Sequence, residues 1–101
     1  MKKQTKSRAN KNRWNELSLK LRKDVHCELC DIKEHLQVHH ITSKFYMKSK
    51  LRFAKENLVV VCPKHHFMFH KSPVQTMEWF KRNRPDDYDY VLRELGELGA
   101  L

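Results

Sequence analysis

Two groups of side chains in this chain have the residue types and spacing of metal sites. The first group contains three cysteines and one histidine: Cys27, Cys30, Cys62 and His65. Its first two members form a C-x-x-C pair, and three thiolates with one imidazole are a common ligand set for structural zinc. All four positions would be filled by protein, so this ion would stabilise the fold and perform no chemistry. The neighbouring His26 and His35 are alternatives to His65 as the fourth ligand.

The second group contains four histidines: His39, His40, His66 and His70. Neighbours in a strand face opposite sides, so one of His39 and His40 can bind an ion while the other points elsewhere. His66 and His70 share one face of the helix predicted there. His65 points about 100° away from His66 by helix geometry, and this angle places the two adjacent histidines in different sites.

Two short strands and a helix are predicted around these residues. Residues 58–61 are apolar and three of them are β-branched, as is typical of a buried strand. Pro63 then favours the first turn of a helix, which we expect to continue to His70. Residues 36–41 alternate between apolar and polar side chains up to the histidine pair and predict the second strand.

Helices are predicted on both sides of this unit. Residues 11–23 carry an apolar helical stripe formed by Trp14, Leu17 and Leu21. Ser72 can cap a helix that follows the histidine group, and a last helix can start at Asp86 or Asp87. The chain is therefore expected to be α+β and mostly helical.

Length and composition favour one small domain. The 101 residues include 33% charged residues and two glycines, which predicts a single domain over residues 11–101 after a flexible basic arm over residues 1–10. Three cysteines and no apolar signal segment favour a reduced compartment and metal ligation over disulfides. No apolar run approaches the roughly 18 residues of a membrane span, so the protein is expected to be soluble.

Positive charge is concentrated in two segments. The chain has a net charge of +9, and residues 1–24 hold nine Lys or Arg against two acids, while residues 42–55 hold five and no acid. A solvated face or a disordered arm is the alternative for residues 1–10, but such charge also suits nucleic acid. Residues 86–101 are acidic and are not expected to contact DNA. The candidate phosphate-binding residues are Arg13, Lys20, Lys44, Lys48, Lys50 and Arg52.

The order of these motifs resembles that of the HNH endonucleases. The runs C-x-x-C, VHHI, NLVVVC and CPKHH follow one another over residues 27–70, and the His, Asn and His of the family name match His40, Asn57 and His66. The resemblance implies a ββα-metal, treble-clef-like core, in which two antiparallel strands and a helix surround an ion. Family members with this zinc knuckle usually carry cysteine at the position of His65.

The resemblance also implies hydrolysis of DNA, by nicking or by double-strand cutting. His40 would be the general base, Asn57 would fix the loop or the ring of His40, and a divalent ion would be held by His39, His66 and His70. Histidine suits the base because its ordinary pKa of about 6.5 leaves it largely neutral near pH 7. The ion, which would be Mg²⁺, Mn²⁺, Ni²⁺ or Zn²⁺, would neutralise charge developing on the phosphate.

A different class of function is a zinc-stabilised DNA-binding module without catalysis. Such a module needs the cysteines but has no use for three histidines beside a fourth, and this difference favours the enzyme. RNA is an alternative substrate, because contacts to the nucleic-acid backbone do not report the sugar. The expected setting is a monomer in the cytoplasm of a bacterial or phage-infected cell, with DNA as partner and no membrane association.

Overall fold

The computed structural model of the chain describes residues 6–42 and 50–97. Within these ranges the elements are α1 (Lys6–Arg22), β1 (Gln37–His40), β2 (Leu58–Val61), α2 (Pro63–Lys71), α3 (Pro73–Asn83) and α4 (Pro85–Glu97). Two short 3-10 turns, Lys50–Arg52 and Lys55–Asn57, precede β2. The prediction of a mostly helical α+β chain is confirmed. Every helix in the described part of the chain is too short or too polar to cross a membrane.

The two strands pair in the antiparallel direction, with His39 opposite Val59 and His40 opposite Leu58. All four residues of β2 are buried, as the run of valines predicts, whereas three of the four residues of β1 are only half-buried. The strand predicted at 36–41 is one residue shorter at each end, since β1 covers Gln37–His40. Its register places the histidine pair of β1 beside the most apolar segment of the chain.

Two helices start earlier than predicted. Helix α1 begins at Lys6 and not at Lys11. Residues 6–10 lack an apolar stripe, but they include good helix formers and no Gly or Pro, so the helix extends through them. Residues 1–5 of the predicted arm lie outside the described ranges. Helix α4 begins at Pro85, where a fixed φ suits the first helical position, and its first turn contains the acidic Asp86 and Asp87, which suit the helix dipole.

The helices after β2 are separated by local stops and bury one core. Ser72 caps α3, and its hydroxyl oxygen accepts a hydrogen bond of 3.3 Å from the Gln75 N–H, as predicted. The largest fully buried side chains of this region include Phe69, Phe80 and Val91. This core holds α2 in a fixed position relative to β1 and β2, which carry the remaining candidate ligands.

Arg84 joins the C-terminal helices to the start of β2. Its guanidinium donates to the carbonyl oxygens of Leu58 and Lys55 and pairs with Asp87 at 2.8 Å. Its other ion pair, at 3.5 Å, is with Glu28 in the segment after α1, and Glu28 Oε2 accepts from the Val60 N–H at 2.7 Å. Arg84 thereby holds the backbone on both sides of Asn57, at Lys55 and at Leu58.

Candidate metal centres

The cysteine cluster, defined as Cys27, Cys30, Cys62 and His65, brings all four predicted zinc ligands together. Nδ1 of His65 lies 3.6 Å from the sulfur of Cys27 and 3.3 Å from that of Cys62. The sulfurs of Cys30 and Cys62 are 3.8 Å apart. Tetrahedral zinc, with bonds of about 2.3 Å to sulfur and about 2.1 Å to nitrogen, separates two sulfurs by about 3.8 Å and sulfur from nitrogen by about 3.6 Å. These residues could therefore hold a zinc ion.

The helix that follows Cys62 favours the ligand form of its thiol. Burial raises the pKa of Cys62, but the nearby backbone N–H groups of His65 and Lys64 and the neighbouring thiols favour the thiolate more strongly, so this pKa lies below its ordinary value. Cys62 is the N-cap of α2, and the exposed N–H groups of a helix start favour a thiolate. The position of Cys62 at the start of α2 and the binding of a metal ion therefore both favour the thiolate form.

The fourth ligand in this arrangement is His65, and neither His26 nor His35 belongs to the converging set. Nδ1 of His26 instead lies 2.6 Å from the Cys27 carbonyl oxygen and 3.0 Å from the Cys30 carbonyl oxygen. A carbonyl oxygen only accepts, so Nδ1 of His26 carries the proton and fastens the backbone of the knuckle. His26 is therefore a support of the turn.

The histidine cluster, defined as His39, His66 and His70, forms where β1 faces α2. The ring centroid of His39 lies 5.2 Å from that of His66 and 4.7 Å from that of His70. The Nε2 atoms of His66 and His70 are 2.9 Å apart, and one nitrogen from each ring lies within 4.8 Å of the others. Two nitrogens that bind one ion at about 2.1 Å and at right angles lie about 3.0 Å apart. The cluster could therefore hold a metal ion, with its remaining positions open.

A glutamine fixes the tautomer of one member of the histidine cluster. Nδ1 of His66 is hydrogen-bonded to Oε1 of Gln37. Because this oxygen only accepts, the proton of His66 is on Nδ1 and the lone pair is on Nε2. That lone pair points toward Nε2 of His70 and is suited to accept from it or to bind an ion. Gln37 has the position of a supporting group that orients a ligand.

Burial favours the neutral form of two members of the histidine cluster, His39 and His66. It lowers the pKa of His39 to about 4, with further lowering by the charges of His70, His66 and His40. Burial, followed by the charge of His70, also lowers the pKa of His66. Neutral imidazole is the form that binds metals, so these rings are prepared to act as ligands at neutral pH.

The lowered pKa of His39 predicts acid-sensitive folding in the absence of an ion at the histidine cluster. The unfolded chain takes up this proton near the ordinary His pKa of about 6.5, while the folded chain resists it down to about 4. Stability should therefore be fully present above pH 6.5 or so and decline as the pH falls to about 4.

Denaturant unfolding at a series of pH values after mild chelation measures this decline. His39→Gln, which has no proton to take up, should show a shallower fall over the same window than the parent chain. An equally steep fall in the variant would assign the acid sensitivity to other groups.

His40 points away from the cluster and is held by different groups. Its ring stacks on that of Trp14, with centroids 4.6 Å apart and planes 20° apart. Its Nε2 lies 2.9 Å from the carbonyl oxygen of Arg52, so Nε2 carries the proton and Nδ1 keeps a lone pair. Burial lowers the pKa of His40, against the opposing effect of that hydrogen bond and with the help of the Arg52 charge. The alternation within β1 thus separates His39, a candidate ligand, from His40, a candidate base.

Asn57 is buried and fastens the two ends of the segment that crosses from β1 to β2. Its Oδ1 accepts from the Thr42 N–H at 3.1 Å, and its Nδ2 donates to Thr42 Oγ1 at 2.9 Å and to the Leu51 carbonyl at 3.0 Å. Leu51 immediately precedes Arg52, whose carbonyl holds His40. Of the two roles predicted for Asn57, the structure thus shows contacts with the loop backbone.

The four predicted phosphate-binding residues that the structure describes fall into three situations. Arg13 and Arg52 both pack on the ring of Phe53, with guanidinium carbons 4.2 Å and 5.2 Å from its centroid. Lys20 is exposed on α1. Lys50 forms an ion pair of 3.0 Å with Glu94 of α4, so the acidic C-terminal helix contacts the basic segment. Lys44 and Lys48 lie outside the described residues.

Three residues around the site have roles that the sequence pattern does not predict. The pattern marks Trp14 only as part of an apolar stripe, and it gives Arg84 no role. Gln37 carries a usable signal, because it is two residues before His39 and so shares its face of β1. Arg84 and Trp14 act on residues distant in sequence, and no local pattern marks such contacts.

One cavity connects the histidine cluster with His40. Its volume is about 380 Å³, and its walls include all four histidines together with Ile41, Phe69 and Thr76.

Comparisons with protein-family models, curated proteins and solved structures find no match to this chain. Within residues 6–42 and 50–97, the geometry therefore gives two separate candidate metal centres, one closed and one open to a cavity.

Proposed function

We propose that this chain is a metal-dependent HNH endonuclease that hydrolyses phosphodiester bonds of DNA. The observation that carries the proposal is the convergence of three imidazoles beside a fourth histidine that is held separately in the same cavity. In this proposal β1, β2 and α2 form the ββα-metal core, and zinc in the cysteine cluster stabilises it. The resemblance of residues 27–70 to the HNH motifs supports the assignment.

The reaction needs the negative charge of the phosphate to be neutralised, because a phosphodiester repels a nucleophile and its ester oxygen is a poor leaving group. A divalent ion held by His39, His66 and His70 would supply this neutralisation when bound. Gln37 maintains His66 in the tautomer that presents Nε2 to the ion. Burial favours the neutral form of His39, so one nitrogen of this ring has a lone pair available for an ion.

His40 is proposed as the general base that takes a proton from the attacking water. Its Nε2–H is committed to the Arg52 carbonyl, so Nδ1 is the atom that accepts. The lowered pKa keeps this nitrogen free of a proton at neutral pH. Asn57 supports the base indirectly, through the backbone of Leu51, which is joined to the peptide group that holds the ring.

DNA is the proposed partner of the basic surface, with the chain acting as a monomer. The net charge of +9 and the exposed Arg13 and Lys20 of α1 favour phosphate contacts. Arg13 lies on Phe53, which follows Arg52, and this places one cationic group beside the segment that holds the base. An incoming phosphate would therefore meet positive charge next to the cavity.

We expect DNA affinity to fall steeply with salt, because each phosphate contact releases counterions. In filter binding without divalent ion, the affinity should drop strongly between roughly 50 mM and 200 mM salt. Arg13→Gln should reduce the slope of log affinity against log salt by about one. Arg93→Gln is the matched control, since Arg93 is exposed on the acidic α4 and should leave the slope unchanged. Equal slopes for parent and Arg13→Gln would exclude Arg13 as a phosphate contact.

The proposal is tested by incubating purified protein with supercoiled plasmid, with and without added Mg²⁺, Mn²⁺ or Ni²⁺. Conversion to nicked or linear plasmid only when ion is present supports it. Binding without cleavage under every ion would favour the alternative, a zinc-stabilised DNA-binding module. That alternative uses only the cysteine cluster and gives the converging histidines no role.

A further inference from the structure

The ring of His40 is held on its face as well as at its edge. Trp14 supplies the face contact, with ring planes only 20° apart and centroids 4.6 Å apart. The Arg52 carbonyl supplies the edge contact at Nε2. Trp14 belongs to α1, so an element outside the strand pair and α2 reaches the candidate base directly.

Both contacts are needed to give the ring one orientation. The last torsion of a histidine side chain is broad and roughly two-fold, so the backbone of β1 alone does not fix the ring plane. The hydrogen bond at Nε2 fixes one atom but permits the ring to swing about it. Stacking on a second flat ring removes this swing, because stacked aromatic pairs prefer near-parallel planes at short separation. The direction of the Nδ1 lone pair is then determined.

Helix α1 is itself fastened at this point. Arg13, the residue before Trp14, lies 4.2 Å over the ring of Phe53, the residue after Arg52. Adjacent residues of α1 therefore contact the base and the segment that orients the base. A shift of α1 along β1 would disturb the two contacts together.

We propose that Trp14 is a positioning residue for the general base, so that α1 is part of the catalytic centre as well as of the basic surface. The inference rests on the proposed nuclease function. Trp14 contacts neither the substrate nor the ion in this proposal. It acts by holding the ring of His40 so that Nδ1 faces the attacking water.

The test compares kcat and KM for plasmid cleavage in three variants. Trp14→Leu removes the flat surface, and we expect kcat to fall by about 10²-fold, the effect of a misplacement of about 1 Å, with little change in KM. Trp14→Phe retains a smaller flat ring and should recover most of the loss. Leu21→Ala is the matched control on α1, since Leu21 packs on the core seven residues, or about 10 Å, beyond Trp14 along the helix, and it should lower the melting temperature without changing kcat.

The possible results separate this inference from the function on which it rests. A parent chain that cuts no plasmid removes both. If the parent is active and Trp14→Leu cuts plasmid at the parent kcat, only the proposed role of Trp14 is excluded. The same holds if Leu21→Ala loses as much kcat as Trp14→Leu. If Trp14→Leu does not fold, Trp14→Met decides, because methionine fills much of the same space without a flat ring: a reduced kcat at unchanged KM supports positioning, and the parent kcat overturns it.

Discussion

Replacing His40 with alanine should reduce the rate of plasmid cleavage by about 10²- to 10⁴-fold, the usual contribution of a general base. The chain should remain folded, because His40 is only half-buried and lies outside the cysteine cluster. Affinity for the divalent ion should change little, since the histidine cluster is intact. The parent rate should also fall with acidification at a pH below about 6.5, the ordinary histidine value, because burial lowers the pKa of His40.

His39→Ala is the informative companion of this variant. It alters the neighbouring residue of β1 but removes a ligand, so its activity should depend on a higher ion concentration. If His40→Ala cuts plasmid at the parent rate while His39→Ala does not, then the two neighbours have exchanged roles. If both variants cut at the parent rate, the activity belongs to another protein in the preparation.

Replacing Cys27 with serine should unfold the chain or lower its melting temperature far more than His40→Ala does. Cys27 is fully buried, and its sulfur would bind the ion that joins the segment after α1 to the start of α2. Structural zinc can contribute about 10–16 kcal/mol of apparent binding energy, which a folded site converts into stability. Loss of one thiolate removes a substantial part of this contribution.

Thermal unfolding together with elemental analysis measures this effect. Dialysed parent protein should contain one zinc per chain that resists mild chelation, and Cys27→Ser should contain none. His26→Ala is a suitable control, because His26 contacts the knuckle backbone without belonging to the ligand set. Parent protein free of zinc, or a Cys27→Ser variant as stable as His26→Ala, would remove the structural site.

The parts of the fold that the sequence predicts well are those determined by neighbouring residues. The valine run of β2, Pro63 at the start of α2 and the Ser72 cap of α3 each act within a few residues, and each element lies at its predicted position. The separation of His65 from His66 follows from helix geometry alone. Residue types and spacing therefore limit each cluster to a few candidates, whereas the choice of His65 over His26 and His35, and of His39 over His40, is seen in the structure.

What the sequence does not reveal is how distant segments orient these side chains. The Arg52 carbonyl, the partner of His40, lies twelve residues away in sequence, and no local pattern indicates this contact. Trp14 belongs to the same apolar stripe as Leu17 and Leu21, and nothing in this stripe indicates that the Trp14 ring stacks on His40. The earlier start of α1 escapes prediction for a related reason, since helix propensity without an apolar stripe leaves no periodic pattern.

The most direct test of the central claim, that the histidine cluster holds the catalytic ion, is the cleavage rate of parent and His66→Ala as a function of added Mn²⁺ or Ni²⁺. The parent rate should rise with ion and saturate, whereas His66→Ala, folded and still containing its zinc, should show a much lower rate that higher ion concentrations only partly restore. The same ion dependence and the same maximal rate in both proteins would contradict the assignment of the catalytic centre to these histidines.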